Sequence, residues 1–181
     1  MEYASTELIH EHESILDSLK VLDVISNRLE SGKDIPVEDI KAPIEFFKIF
    51  VDRYHHCKEE CILYPAMAES GVHNQNGPIG MMLYEHDKGR EYLLQMEDSI
   101  SVSPIKKDKF IKSARGYTAL LRHNIMNENS VLLPIADIKI PPSKQENIIK
   151  AFKEHEENVI GKETHEKLNE LLYDLKRKYL M

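Results

Sequence analysis

Apolar residues recur along most of the chain at alternating steps of four and three, which places their side chains on one face of an α-helix. Four long segments carry the pattern, at residues 6–31, 43–70, 78–100 and 103–133. Glycine or proline stands at the breaks, for example Gly32 after the first segment and Pro104 at the start of the fourth. Because short connections make consecutive helices antiparallel, the pattern predicts an all-α, up-down-up-down four-helix bundle.

Two shorter helical segments follow the fourth one. Pro141 and Pro142 end the bundle pattern, and residues 143–146 form a Ser-Lys-Gln-Glu capping box for a new helix. Gly161 breaks this helix, and a last one is expected from about Glu163 to Leu180. We therefore predict a bundle over residues 1–137 and a C-terminal helical extension, packed on it, over residues 138–181. A loop is expected at residues 71–78.

Each of the four bundle helices places a histidine in its apolar stripe, and two of them add a carboxylate. The set is His12, His55, Glu59, His86, His123 and Glu128. A single histidine in such a stripe is as easily a core residue whose nitrogens find protein partners. The coincidence across four helices favours a shared metal centre, because buried polar groups without partners are costly.

The spacing of these residues decides which can share a face. His55 and Glu59 are four apart, so both face the stripe, whereas the parallel pair His56 and Glu60 falls on a mixed face that is solvated or supports the first pair. His123 and Glu128 are five apart, about 140° around a regular helix. An inserted i→i+5 turn would realign them, so we predict a local bulge near His123.

The donor set also limits the metal. Four histidines and two carboxylates suit two ions bridged by the carboxylates, with coordination positions left open. Imidazole together with carboxylate favours iron, manganese or zinc over calcium or magnesium.

The net charge and the cysteine content limit the partners and the compartment that we expect for this protein. A net charge of -7 argues against sequence-independent nucleic-acid binding. The sequence contains no run of eighteen apolar residues that would predict a membrane span, and no secretory signal is evident. Cys57 and Cys61, four apart, are either ordinary half-buried helix residues or a redox pair or soft ligands. We expect a reduced, cytoplasmic protein without nucleic-acid or membrane partners; the sequence does not indicate an oligomeric state.

The chain resembles the hemerythrin-like (HHE cation-binding) domain proteins. The matching blocks are residues 8–13, 52–65, 77–90, 116–134 and, in the tail, 161–166. The resemblance implies a four-helix bundle around a non-haem di-iron centre with bridging carboxylates. Its implied ligands are His12, His55, Glu59, His86, His123 and Glu128, with zinc or manganese as substitutes for iron.

This chain departs from the family pattern at two places. Oxygen-carrying hemerythrins have a second histidine four residues from the third-helix one, where this chain has Met82 and Arg90. The six-ligand set is instead similar to that of proteins linked to iron-sulfur repair, nitric oxide response and iron sensing. In that branch the fourth-helix histidine usually precedes its carboxylate by four residues, a place held here by Asn124.

These observations predict a protein that binds or reacts with a small ligand such as O2, NO or peroxide, or that takes part in iron handling or iron-sulfur repair. The alternative is a metal-dependent sensor or interaction module without catalysis. An oxidase of organic substrates and a purely structural bundle are further alternatives. The first of these lacks a recognisable substrate pocket in the sequence, so the chain is not expected to be an enzyme of that kind.

Overall fold

The computed structural model describes residues 3–73 and 76–181; positions 1 and 2 of the predicted bundle and 74 and 75 of the predicted loop lie outside the described residues. Across these ranges the chain forms six helices and no strand. They are α1 (Ala4–Glu30), α2 (37–69), α3 (Pro78–Ile100), α4 (107–139), α5 (Pro142–Val159) and α6 (Gly161–Tyr179). The all-α class with additional C-terminal helices is therefore confirmed. None of the described helices is long and apolar enough to cross a bilayer.

Two helices begin away from their predicted starts. Helix α2 begins at Val37 rather than near Pro43, because Pro36 provides the extended residue before it and the loss of one hydrogen bond at Pro43 is tolerated inside the helix. Helix α4 begins at Lys107 rather than at 103. The residue before a proline is disfavoured in the α conformation, so Ser103 belongs to the connection.

Helices α2 and α4 contain wide π-helical turns. In α2 these turns cover Phe47–His56 and Glu59–Leu63, and in α4 one covers Glu128–Leu132. Pro65 and Pro134 each follow such a turn within two residues. A proline ring normally clashes with the carbonyl four residues earlier, and a wider turn relieves that clash. Helix α2 therefore continues to Glu69 instead of ending at Pro65.

The interior consists of two hydrophobic clusters stacked along the bundle axis. One is formed around residues such as Leu22, Phe47 and Tyr117, and the other, at the opposite end, around Leu63 and Leu132. Burying a side chain of this size stabilises the fold by roughly 1.5–3 kcal/mol. The layer between the two clusters is polar, and it holds the candidate site.

The C-terminal extension packs on the bundle through apolar residues of both its helices. Phe152 of α5 joins the cluster around Leu63, and Leu172 of α6 joins the cluster around Leu22. Ion pairs of α6 with α1 and α2 add to this contact, including that of Lys178 with Asp39. The division into units at residue 137 stays a prediction; the break between α4 and α5 lies at residues 140–141.

Candidate metal centre

The layer between the two hydrophobic clusters contains five charged or titratable side chains from four helices. They are His12 of α1, His55 and Glu59 of α2, His86 of α3 and Glu128 of α4, each at most 1% exposed. The helical repeat brings them to one level: in α1, for example, the histidine stands between Leu8 of one cluster and Ile15 of the other. The structure therefore brings together five of the six expected residues.

The Nε2 atoms of the three histidines all face the centre of this layer. The Nε2 atoms of His12 and His55 lie 3.0 Å apart on one side. On the other side, His86 Nε2 lies 3.5 Å from Glu59 Oε2 and 3.6 Å from Glu128 Oε1. A cation placed on either side would meet ring nitrogens and carboxylate oxygens together.

Each carboxylate turns one oxygen toward each side. Glu59 Oε1 lies 3.5 Å from His55 Nε2, while its Oε2 faces His86. Glu128 Oε2 lies 3.2 Å from His12 Nε2, while its Oε1 faces His86. Two carboxylates that each present one oxygen to either side have the arrangement needed to bridge two ions.

The outer nitrogen of each ring donates a hydrogen bond to an oxygen outside the centre. His12 Nδ1 lies 2.7 Å from Asn129 Oδ1, His55 Nδ1 lies 2.7 Å from Glu11 Oε2, and His86 Nδ1 lies 2.8 Å from Glu60 Oε1. Metal-binding histidines almost always hold their second nitrogen in this way, which fixes the tautomer and the ring plane. In the neutral rings, the proton is on Nδ1 and a bare lone pair is on Nε2.

Several of the inner atoms have no partner within the described residues that could satisfy them. Two bare lone pairs, those of His12 and His55, would repel at 3.0 Å unless a proton or a cation lay between them. Within the described residues, both oxygens of Glu59, Oε2 of Glu128 and Nε2 of His86 have no hydrogen-bond partner; the 3.2 Å approach of Glu128 to His12 lacks hydrogen-bond geometry. Orphaned acceptors of this kind, fully buried, fit a metal cation.

The pKa values of these buried side chains indicate the same lack of a compensating positive charge. Burial and the neighbouring Glu128 raise the pKa of Glu59 well above its ordinary value. Burial also opposes ionisation of Glu128, but His12 and His86 together hold its pKa well below the ordinary value. Burial lowers the pKa of His55 and keeps that ring neutral. Two carboxylates side by side in a dry site need a positive charge, which a cation supplies.

His123 is the expected residue that the structure does not bring to the centre. Its side chain is 56% exposed, and its Nδ1 lies 3.0 Å from Glu85 Oε1. The bulge predicted near His123 is absent from the described helix, which is regular from Lys107 through Asn127; a π-helical turn begins only at Glu128. Five regular steps leave His123 facing outward. The residue on the inner face is Asn124, which is 2% exposed.

His56 and Glu60 form a support beside the centre rather than a solvated face. His56 is buried, and its ring stacks on that of His86 with centroids 3.8 Å apart. Glu60 accepts from His86 and from Arg90, whose Nη2 lies 2.7 Å away. Arg90 also bonds Asp52, so one guanidinium contacts both acids and offsets part of their charge. The three groups His56, Glu60 and His86 lie close enough to hold an ion, but Arg90 already supplies the positive charge there.

Three contributors to the site were not predicted from the sequence: Lys58, its partner Glu11, and Tyr64. Lys58 is fully buried between Glu7 and Glu11, and its Nζ lies 3.8 Å from the ring centroid of Tyr54. Although burial opposes ionisation, the hydrogen bond from His55 and the charge of Lys58 lower the pKa of Glu11 to about 2. A lysine in a helical sequence normally indicates a solvated position, which is why Lys58 was not predicted as part of the site.

Tyr64 also contacts the centre. Its hydroxyl donates to Glu128 Oε1 at 2.7 Å, and its ring lies beside that of His86. The signal that could have found it is a repeat: Glu59 and Glu128 each begin a π-helical turn and each precede a proline by six residues. In the α2 copy, the aromatic residue before the proline is Tyr64.

The two cysteines lie one turn apart on the outer side of α2. Their Sγ atoms are 2.8 Å apart, both are free thiols, and Cys61 is exposed. Burial, followed by the contact with Cys61, raises the pKa of Cys57 to about 12. Neither sulfur belongs to the cluster of candidate ligands.

Comparison with known proteins agrees with this arrangement. A family model described as Hemerythrin HHE cation binding domain matches residues 4–136, which covers helices α1 to α3, all but the last three residues of α4, and all five buried residues of the centre. Comparison with curated proteins and with solved structures found no match.

Proposed function

Because the chain belongs to the hemerythrin HHE cation-binding domain family, we propose that its buried centre holds two non-haem iron ions and binds or reacts with a small ligand such as O2, NO or peroxide. His12 and His55 would hold one ion, His86 would hold the other, and Glu59 and Glu128 would bridge them. Bound iron would supply reversible redox chemistry and open coordination positions.

The observation that supports this proposal most strongly is the orientation of the two carboxylates, Glu59 and Glu128. Each presents one oxygen to the His12–His55 side and the other to the His86 side, without exposure to water. A site for a single ion needs only one side. Imidazole and carboxylate donors suit iron, with zinc or manganese as substitutes, better than calcium or magnesium.

The protein groups around the centre hold its donors in place. Glu11 and Glu60 fix the outer nitrogens of His55 and His86, and each acid is itself paired with a cation, Lys58 or Arg90. The surrounding hydrophobic clusters exclude bulk water, which strengthens the attraction between the carboxylates and a cation. A small uncharged molecule fits such a site better than a large polar substrate.

Anaerobic loading with Fe(II), followed by exposure to O2 or NO, tests the proposal. We expect about two iron ions per chain, in line with the two sides of the centre, and a change in the optical spectrum on adding either gas. The variant Glu59→Gln should lose most of the iron while keeping its helical circular dichroism. Iron uptake far below this, without a spectral change in the unmodified protein, would refute the function.

A role in iron handling or iron-sulfur repair would use the same centre. In that role, the loaded protein would release iron to an apo-protein acceptor at physiological concentrations, and its response to O2 or NO would be secondary. Measuring iron transfer from the loaded protein to an iron-sulfur scaffold protein, with Glu59→Gln as the control, separates the two roles.

A further inference from the structure

Resting on the proposed function, we propose that the two cation positions are unequal: the one at His12 and His55 binds first and tightly, and the one at His86 binds second and weakly. The two positions share Glu59 and Glu128 and therefore compete for the same two carboxylates. Their difference lies in the donors that each has for itself.

The first difference is the number of nitrogen donors. The side of His12 and His55 offers two ring nitrogens and two carboxylate oxygens, and these four atoms all lie within 4.8 Å of one another. That is a complete set for a four-coordinate ion. On the opposite side, His86 Nε2 is the one ring nitrogen that the described residues place within 3.6 Å of both Glu59 and Glu128 oxygens. His123, the expected second donor, faces solvent, and Asn124 contacts Met82 and Glu85 instead.

The second difference is whether the carboxylate oxygens on each side already accept a hydrogen bond. Glu59 Oε1 and Glu128 Oε2, which face His12 and His55, accept no hydrogen bond within the described chain. On the His86 side, Glu128 Oε1 already accepts a hydrogen bond from Tyr64. An oxygen that shares its electron density with a donor is the weaker ligand.

The third difference is charge. When both carboxylates are ionised and the rings are unprotonated, as metal coordination requires, the two central acids Glu59 and Glu128 carry two negative charges. One divalent cation neutralises the two central carboxylates. A second divalent cation enters the buried site after these two carboxylates have been neutralised, which is less favourable in a medium of low dielectric constant. It must bring its own anionic or polar ligands, so this position is also the one with open coordination places.

Metal titration of the full-length apo-protein tests the inference. Co(II) is added in the presence of a chromophoric chelator, and Fe(II) is used in a parallel anaerobic experiment. The unmodified protein should bind two ions in two steps that differ by about tenfold or more, the scale on which single supporting groups change metal affinity. His86→Ala should keep the tight step and lose the weak one, and His55→Ala should lose the tight step.

His123→Ala is the matched control, since it removes an imidazole from the same bundle without touching the centre. Should His86→Ala misfold, His86→Gln keeps the side-chain volume and tests the same step. A rise in the unfolding midpoint with the first equivalent, larger than with the second, supports the inference independently of the chelator. Two steps of equal affinity, or loss of both steps in His86→Ala, would overturn the inference but not the proposed function. Absence of any binding in the unmodified protein would overturn both.

Discussion

The Nδ1 atom of His86 lies 2.8 Å from Oε1 of Glu60, and this contact turns the opposite nitrogen of the ring toward the buried carboxylates. Arg90 holds the same oxygen of Glu60 from the outer side at 2.7 Å. The orientation of the His86 ring is therefore set by Glu60 and Arg90, whose side chains lie outside the centre. Lys58 and Glu11 do the same for His55.

Replacing Glu60 by glutamine should weaken the cation position at His86. The amide keeps the shape but loses the charge that makes the ring a better donor, and such changes cost about 10–100-fold in metal affinity. Chelator competition should show the loss in the second binding step alone. Glu13→Gln, at an exposed position of α1, is the control and should bind like the unmodified protein. An unchanged second step in Glu60→Gln would show that this contact does not support the site.

Replacing Asn124 by histidine should strengthen the same position. Asn124 is buried and stands four residues before Glu128 on a regular stretch of helix, so an imidazole there would lie one turn from the carboxylate on the same face. We expect the second binding step to approach the first in affinity, as measured by metal titration. The account would be wrong about this helix if Asn124→His changed nothing and His123→Ala lowered the metal content.

The docking of α6 should weaken in acid. Lys178 and the Tyr179 hydroxyl, 2.5 Å away, hold the pKa of Asp39 below its ordinary value, although burial opposes this. Because the pKa is lower in the folded chain, the stabilisation is complete above about pH 4 and is lost as the pH falls through the folded-state pKa. Asp39→Asn should lower the free energy of unfolding by up to about 1 kcal/mol at pH 7, and by less below pH 3.

Chemical denaturation at several pH values measures this difference. Asp174→Asn is the control, because Asp174 is an exposed acid on α6. Its free energy of unfolding should follow that of the unmodified protein at every pH. A deficit of Asp39→Asn that stays the same from pH 7 to below pH 3 would mean that the carboxylate charge does not dock α6.

Much of the bundle was predictable because its cause is local. A stripe of apolar residues at alternating four and three spacing can be buried only on a helix, and a histidine within that stripe must face the interior with it. His12 and His86 follow this rule on stretches of regular α-helix. His55 lies near the end of a π-helical stretch and Glu59 begins the next one, yet both are buried in the interior.

The rest of the candidate site could not be predicted, because it depends on features that the spacing of residues in the sequence does not determine. An i→i+5 turn changes which residues share a face, and its exact position decides between His123 and Asn124; the turn begins at Glu128, too late to turn His123 inward. The outer partners of the rings come from other helices, as Glu11 of α1 does for His55 of α2. Such contacts exist only once the helices have packed.

Anomalous X-ray diffraction from crystals of the iron-loaded protein would show whether Glu59 and Glu128 bridge two cations. We predict two anomalous peaks about 3.5–4 Å apart between the two carboxylates, one beside His12 and His55 and the other beside His86. We also predict that partial loading leaves the first peak stronger. Iron peaks that lie elsewhere on the chain, with none within bonding distance of either carboxylate, would contradict the account.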